Sequence, residues 1–162
     1  MEYKLSVGFN GDLDLLEKMY ADKENKIGTL YTGGYLKEVT SGRYQHSKSE
    51  QELERIVEAV HDKNARLAVT LNSPCNVPPL SEKQWWENVK NYLKHLESIG
   101  VDTAIIAHPF IMALAKENTN LSVAASIICD VNTPRGALYY EDMGADVIVP
   151  SSSINYDLEQ LK

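Results

Sequence analysis

Four histidines, two cysteines, Arg43 and a run of three serines are the groups through which this 162-residue chain could do chemistry. His108 follows a short β-branched run, and a histidine at a strand end can act as a general base near neutral pH. The plainer account is a histidine that caps the next helix or bonds a loop. Cys129 would be a nucleophile only beside a base that draws off its proton; a cysteine buried in a core strand is the commoner case. Cys75, in the turn Asn72-Ser73-Pro74-Cys75-Asn76, reads as a loop residue. Ser151, Ser152 and Ser153 offer hydroxyls that suit a phosphate or carboxylate near a helix N-terminus, and Arg43 is a matching anion anchor. His46, His61 and His95 fall in a loop or on helical stretches and are expected to be solvated. In Trp85-Trp86 one ring follows a core stripe, so packing accounts for the pair better than a binding platform does.

The elements that must position these groups alternate along the chain. Strand-like runs are Lys4–Phe9, Ile27–Tyr31, Leu67–Leu71, Thr103–Ala107, Leu121–Ile128 and Asp146–Val149. Between them lie helical stripes: Leu15, Leu16, Met19 and Tyr20; then Leu53, Ile56, Val57 and Val60; then Trp85, Val89, Tyr92, Leu93 and Leu96. Further helices follow from Pro109 and from Thr133-Pro134, and a last segment carries Leu158 and Leu161. Ser49 with Glu52, and Ser81 with Gln84, have capping-box spacing, and Gly100 stands where a helix should stop. The loop over 35–47 is long for a strand-to-helix connection.

About six strand-helix units in series imply a parallel sheet covered by helices. No Gly-x-Gly-x-x-Gly follows the first strand, since Gly8-Phe9-Asn10-Gly11 has the wrong spacing, which disfavours a dinucleotide-binding sheet. The expected fold is therefore a TIM-type β/α barrel over residues 1–162, apparently incomplete, because a full barrel has eight units. Its open edges call for further chain or for a homo- or hetero-oligomeric partner. The ligand mouth lies at the C-terminal strand ends, which carry Asn10, Gly33, Gly34, Thr70, Asn72, Ser73, His108, Ser126, Cys129, Ser151, Ser152 and Ser153. That set is polar and almost uncharged, with no close carboxylate pair and no His-x-x-x-His, so no metal site is expected.

Composition narrows the field. Apolar residues form 43% and charged residues 24% of the chain, as in an ordinary globular protein. There is no apolar run long enough to span a membrane and no signal-like start, so the expected compartment is the cytoplasm. A net charge of −7 opposes broad nucleic-acid binding. Two distant cysteines supply neither a disulfide framework nor the ligands of a zinc or iron–sulfur site.

The strand ends resemble the peptidase U32 family, also called collagenase-like proteases. The similar segments are Tyr31-Thr32-Gly33-Gly34 with Arg43 downstream, Val69-Thr70-Leu71-Asn72-Ser73, Ala104-Ile105-Ile106, Ala125-Ser126 with Val131-Asn132, and Val147-Ile148-Val149. The resemblance implies a β/α barrel and carries over Gly33, Gly34, Arg43, Asn72 and Ser126 as ligand-binding positions. It implies a peptidase-like activity on a peptide or small-molecule substrate. The alternative it implies is an oxygen-independent hydroxylase acting on RNA or a quinone precursor, with prephenate as donor. Such hydroxylases hold an iron–sulfur cluster on cysteines beyond the region seen here, so no cofactor is expected within this chain. A non-catalytic partner subunit is a third reading. The chain departs from the family where His108-Pro109 replaces a usual Gln-Asp, where Ile127-Ile128 follows Ser126 in place of Thr-Gln, and where Ser152-Ser153 replaces an Arg-Glu pair.

Overall fold

Six strands and five helices alternate through the computed structural model, which describes residues 4–22, 26–39, 41, 49–73, 79, 81–154 and 156. They are β1 (Leu5–Gly8), α1 (Leu13–Tyr20), β2 (Ile27–Gly33), α2 (Glu50–His61), β3 (Arg66–Leu71) and α3 (Lys83–Ser98). There follow β4 (Thr103–Ile106), α4 (Pro109–Asn118), β5 (Ser122–Ala125), α5 (Pro134–Asp142) and β6 (Val147–Ile148). Leu158 and Leu161 lie outside the described residues.

All strand pairs are parallel, and the strands stand side by side in chain order from β1 to β6. This order decides between the two architectures open to a strand-helix repeat. A doubly wound sheet reverses its direction at a switch point. A barrel path adds each strand on the same side of the last, and right-handed crossovers then bring every helix to one face. The chain follows the barrel path.

The helix starts obey local chemistry. Asp12 accepts from the amides of Asp14 (3.0 Å) and Leu15 (3.1 Å), and Ser49 accepts from Glu52 N (3.2 Å). Thr133 accepts from Gly136 N (3.1 Å), with Pro134 in the first helical position. The expected Ser81–Gln84 box does not form. The Glu82 amide turns back to the Pro79 carbonyl (3.1 Å), α3 starts a residue later at Lys83, and Gln84 bonds Asn88 instead (2.9 Å). Helix α3 stops at Gly100, whose φ of 88° is a left-handed conformation that L side chains rarely adopt.

Two other expectations give way to local contacts. Leu15 of α1 is exposed; the helix seats through Leu16, with Met19 and Tyr20 packed at the rim. Strand five ends at Ala125 rather than Ile128. The Ser126 hydroxyl accepts from Ile128 N (3.3 Å), which folds Ile127–Cys129 into a 3-10 turn closed by Asp130 at φ 51°. Cys129 therefore sits half-buried in that turn and not in a core strand.

The core lies between the helices and one face of the sheet. Leu30 and Leu67 pair in one row, Val69, Ala104 and Val123 in the next, and Leu71, Ile106 and Ala125 in the third. All of these pack with Leu53, Ile56, Val57 and Val60 of α2, Val89, Leu93 and Leu96 of α3, and Ile111 and Met112 of α4.

Candidate functional site at the strand ends

Alternation along each strand gives the opposite face a different composition. One row of register partners runs Gly8, Tyr31, Ala68, Thr103 and Ser122; the next runs Gly33, Thr70, Ile105, Ala124 and Val147. This inner face is made mostly of small and hydroxyl-bearing side chains around Tyr31, Ile105 and Val147. A usual barrel interior is filled with Val, Ile and Leu.

At the C-terminal rim of this face, Asn72 follows Thr70 and Ser126 follows Ala124 on the same alternation. Asn72 Nδ2 donates to Ser126 Oγ at 2.9 Å, joining the ends of β3 and β5 across β4. Ser126 is almost wholly buried at 1% exposure, and its amide donates to the Ile106 carbonyl (2.8 Å). Below them Thr70 Oγ1 donates to the Thr32 carbonyl (3.2 Å). Two of the expected ligand-binding residues are thus in direct contact, and Gly33 ends the neighbouring strand in the Thr70 row.

The remaining candidates are placed differently. Gly34 is required by packing: a Cβ there would overlap the hydroxyl of Tyr92, which is buried beneath it. Arg43, Cys75 and His46 lie outside the described residues. His108 continues the alternation of Ala104 and Ile106, which face the helices, so Ala107 holds the inward position at the end of β4. It is the N-cap residue of α4 by backbone but makes no side-chain cap bond. Its ring lies 5.6 Å from Phe110, and its Nδ1 is buried without a hydrogen-bond partner. Burial holds the imidazole below its ordinary pKa, so the neutral form is favoured.

Cys129 is no better placed as a nucleophile. Its thiol donates toward the Ala107 carbonyl (3.5 Å), and burial pushes its pKa up, away from the reactive thiolate. Burial, together with the neighbouring Cys129, pushes Tyr140 to about 12. Ser151 is buried; its amide donates to the Val131 carbonyl (2.8 Å) and its hydroxyl meets that of Ser153 (2.9 Å), while Ser152 is exposed. Ser151 thereby ties the segment after β6 to the turn after β5.

Of the histidines expected to be solvated, His61 is exposed and His95 is not. His61 Nε2 lies 2.9 Å from Asp102 Oδ2, the carboxylate that also accepts from Leu67 N (2.8 Å). His95 has its Nε2 buried between α2 and α3. Sequence reading missed Tyr31 and Thr103 on the inner face; the signal was the alternation of Thr29 and Tyr31 about Leu30 in β2, and of Thr103 with Ala104 in β4.

Residues 15–160 match the sequence model of peptidase family U32. No curated protein matches the chain. Among solved structures it is similar to the U32 peptidase Mk0906, with a TM-score of 0.79 at 17% identity, over 99% of this chain and 64% of that one. This chain thus spans less than two thirds of that relative's length. It is also similar to a GH113 β-1,4-mannanase, with a TM-score of 0.57 at 14% identity, over 99% of this chain and 66% of that one. At such identities the likeness establishes the fold, an incomplete TIM-like barrel with six parallel strands, and enzymes of different chemistry share it.

Proposed function

The chain belongs to peptidase family U32, and on that premise we propose that it binds a peptide at the C-terminal ends of its strands. The observation that carries this reading is the Asn72–Ser126 hydrogen bond at the rim of a hydroxyl-lined inner face. Asn72 brings a side-chain amide, already joined to Ser126, to the rim, and Thr70, Thr103 and Ser122 line the face below it. Such groups complement the N–H and C=O of a peptide better than they complement a bare charge. A peptide's terminal carboxylate, or another small anion, calls for a cation as well, and Arg43, ten residues beyond Gly33 in the sequence, is the residue for that part.

The binding half of a peptidase reading is better supported than the catalytic half. Ser126 Oγ receives its hydrogen bonds from an amide side chain and a backbone amide, neither of which can take a proton from it. An activated serine needs a base in that position. His108 remains the general-base candidate, on the strength of its neutral imidazole and its place at the end of β4.

Calorimetric titration with short peptides and with acetate tests the reading. Peptides should bind, Asn72→Ala should weaken them by about tenfold through loss of one or two hydrogen bonds, and Arg43→Ala should weaken chiefly those with a free C-terminus. Peptide affinity unchanged in Asn72→Ala would remove the rim from the binding site.

A further inference from the structure

Away from the strand ends, three metal-ligating side chains converge between two helices. Glu50 and Glu54 are four residues apart on α2 and so share one face. His95 faces them from α3. One carboxylate oxygen from each glutamate and one imidazole nitrogen all lie within 4.8 Å of one another. The turn after β2 closes the cluster from above: the Tyr35 ring stands 6.0 Å from that of His95 and 5.0 Å from that of Tyr92.

The contact between His95 and Glu50 is not that of an ordinary ion pair. Nε2 lies 3.4 Å from Glu50 Oε1, yet it is buried and makes no hydrogen bond. A charge-assisted N–H···O bond would be about 2.7–2.9 Å long. Two ligands of one tetrahedral zinc, each bonded at about 2.0–2.1 Å, are held about 3.3 Å apart. The spacing is therefore that of groups aimed at a common point and not at each other. Two carboxylates brought this close also repel unless a cation stands between them. The plain account of Glu50 is an acidic residue in the first turn of a helix, favoured by the helix dipole. That accounts for neither Glu54 nor the unpartnered nitrogen of His95.

We propose that Glu50, Glu54 and His95 form a binding site for a divalent transition ion, Zn²⁺ foremost, that clasps α2 to α3. One nitrogen and two carboxylate oxygens suit Zn²⁺ or Mn²⁺, and three protein ligands leave a position for water. Glu50 is half exposed, with 53% of its side chain accessible, so the ion enters from the surface. The site carries no role in substrate binding; it fixes the start of α2. The sequence hid this cluster because its parts come from two helices some forty residues apart in chain order.

Titration of the full chain with ZnCl₂ and MnCl₂ by calorimetry, with melting curves alongside, is the test. One Zn²⁺ should bind per chain and raise the melting temperature. His95→Ala and Glu54→Gln should each weaken binding by at least about tenfold, the loss expected when one of three ligands goes. Cys129→Ser and Cys75→Ser should leave it unchanged. If His95→Ala does not fold, Glu50→Gln with Glu54→Gln decides the matter, because Glu50 is exposed and Glu54 only half-buried. No binding at millimolar Zn²⁺, or binding unaffected by the glutamate and histidine variants, overturns the proposal.

Discussion

The two faces of the one sheet differ as sharply as two separate proteins would. Outward, Leu30, Leu67, Val69, Leu71, Ile106 and Val123 are each 3% exposed or less and interlock with four helices. Inward, the same strands offer Gly8, Thr29, Tyr31, Thr70, Thr103 and Ser122, several of them half open. Strand alternation allows this division because consecutive side chains point to opposite faces. The outer rows supply the apolar burial that stabilises the fold. The inner rows are smaller and more polar, and are where the proposed ligand would sit.

The contrast is tested most strongly by paired truncations. Ile106→Ala on the outer face should cost about 2–5 kcal/mol in urea unfolding, since a buried isoleucine leaves a cavity. Thr103→Ala on the inner face should cost less than about 1 kcal/mol, because the site is half open. Equal losses would mean that the inner face is also a packed core.

A second pair probes the seam where the faces meet, at the end of β2. Gly34→Ala forces a methyl group onto the Tyr92 hydroxyl and should destabilise by about 1–3 kcal/mol. Tyr92→Phe removes a buried hydroxyl that has no hydrogen-bond partner and should be close to neutral alone. Combined, the two should cost less than their sum. Strict additivity would show that Gly34 is needed for some reason other than room for Tyr92.

The smallest effect concerns His108. Its folded pKa is depressed by burial, so the unfolded chain binds a proton more readily. The stability it contributes is present above the ordinary imidazole pKa of about 6.5 and is lost as pH falls through the lowered value. Melting curves between neutral and mildly acid pH should therefore slope less in His108→Asn than in the wild type. An unchanged slope would mean that His108 is not the buried group that senses acid in this range.

The barrel path was legible in the sequence because strand and helix signals alternate without a break, and the helical stripes named the core of α2 and of α3 correctly. What misled were runs whose composition outlasts their structure. Ile127-Ile128 reads as strand, yet one hydroxyl from Ser126 turns it. Ser81-x-x-Gln84 reads as a cap, yet the Glu82 amide is already bound to Pro79. Of the site, Asn72 and Ser126 were legible one by one from their strand-end positions. Their contact was not, because it depends on β3 and β5 both flanking β4 in register. For His108 the position along the strand was legible, but the face it takes follows only from the packing of Ala104 and Ile106.

The central claim is that a peptide sits on the inner face, at the ends of β3 and β5. Backbone amide chemical-shift mapping of the ¹⁵N-labelled chain during peptide titration addresses it directly. The expected result is a cluster of shifts at Gly33, Thr70, Asn72 and Ser126, with Leu53, Val89 and Met112 of the outer core unmoved. Shifts confined to the helices, or scattered without a focus on those strand ends, would contradict it.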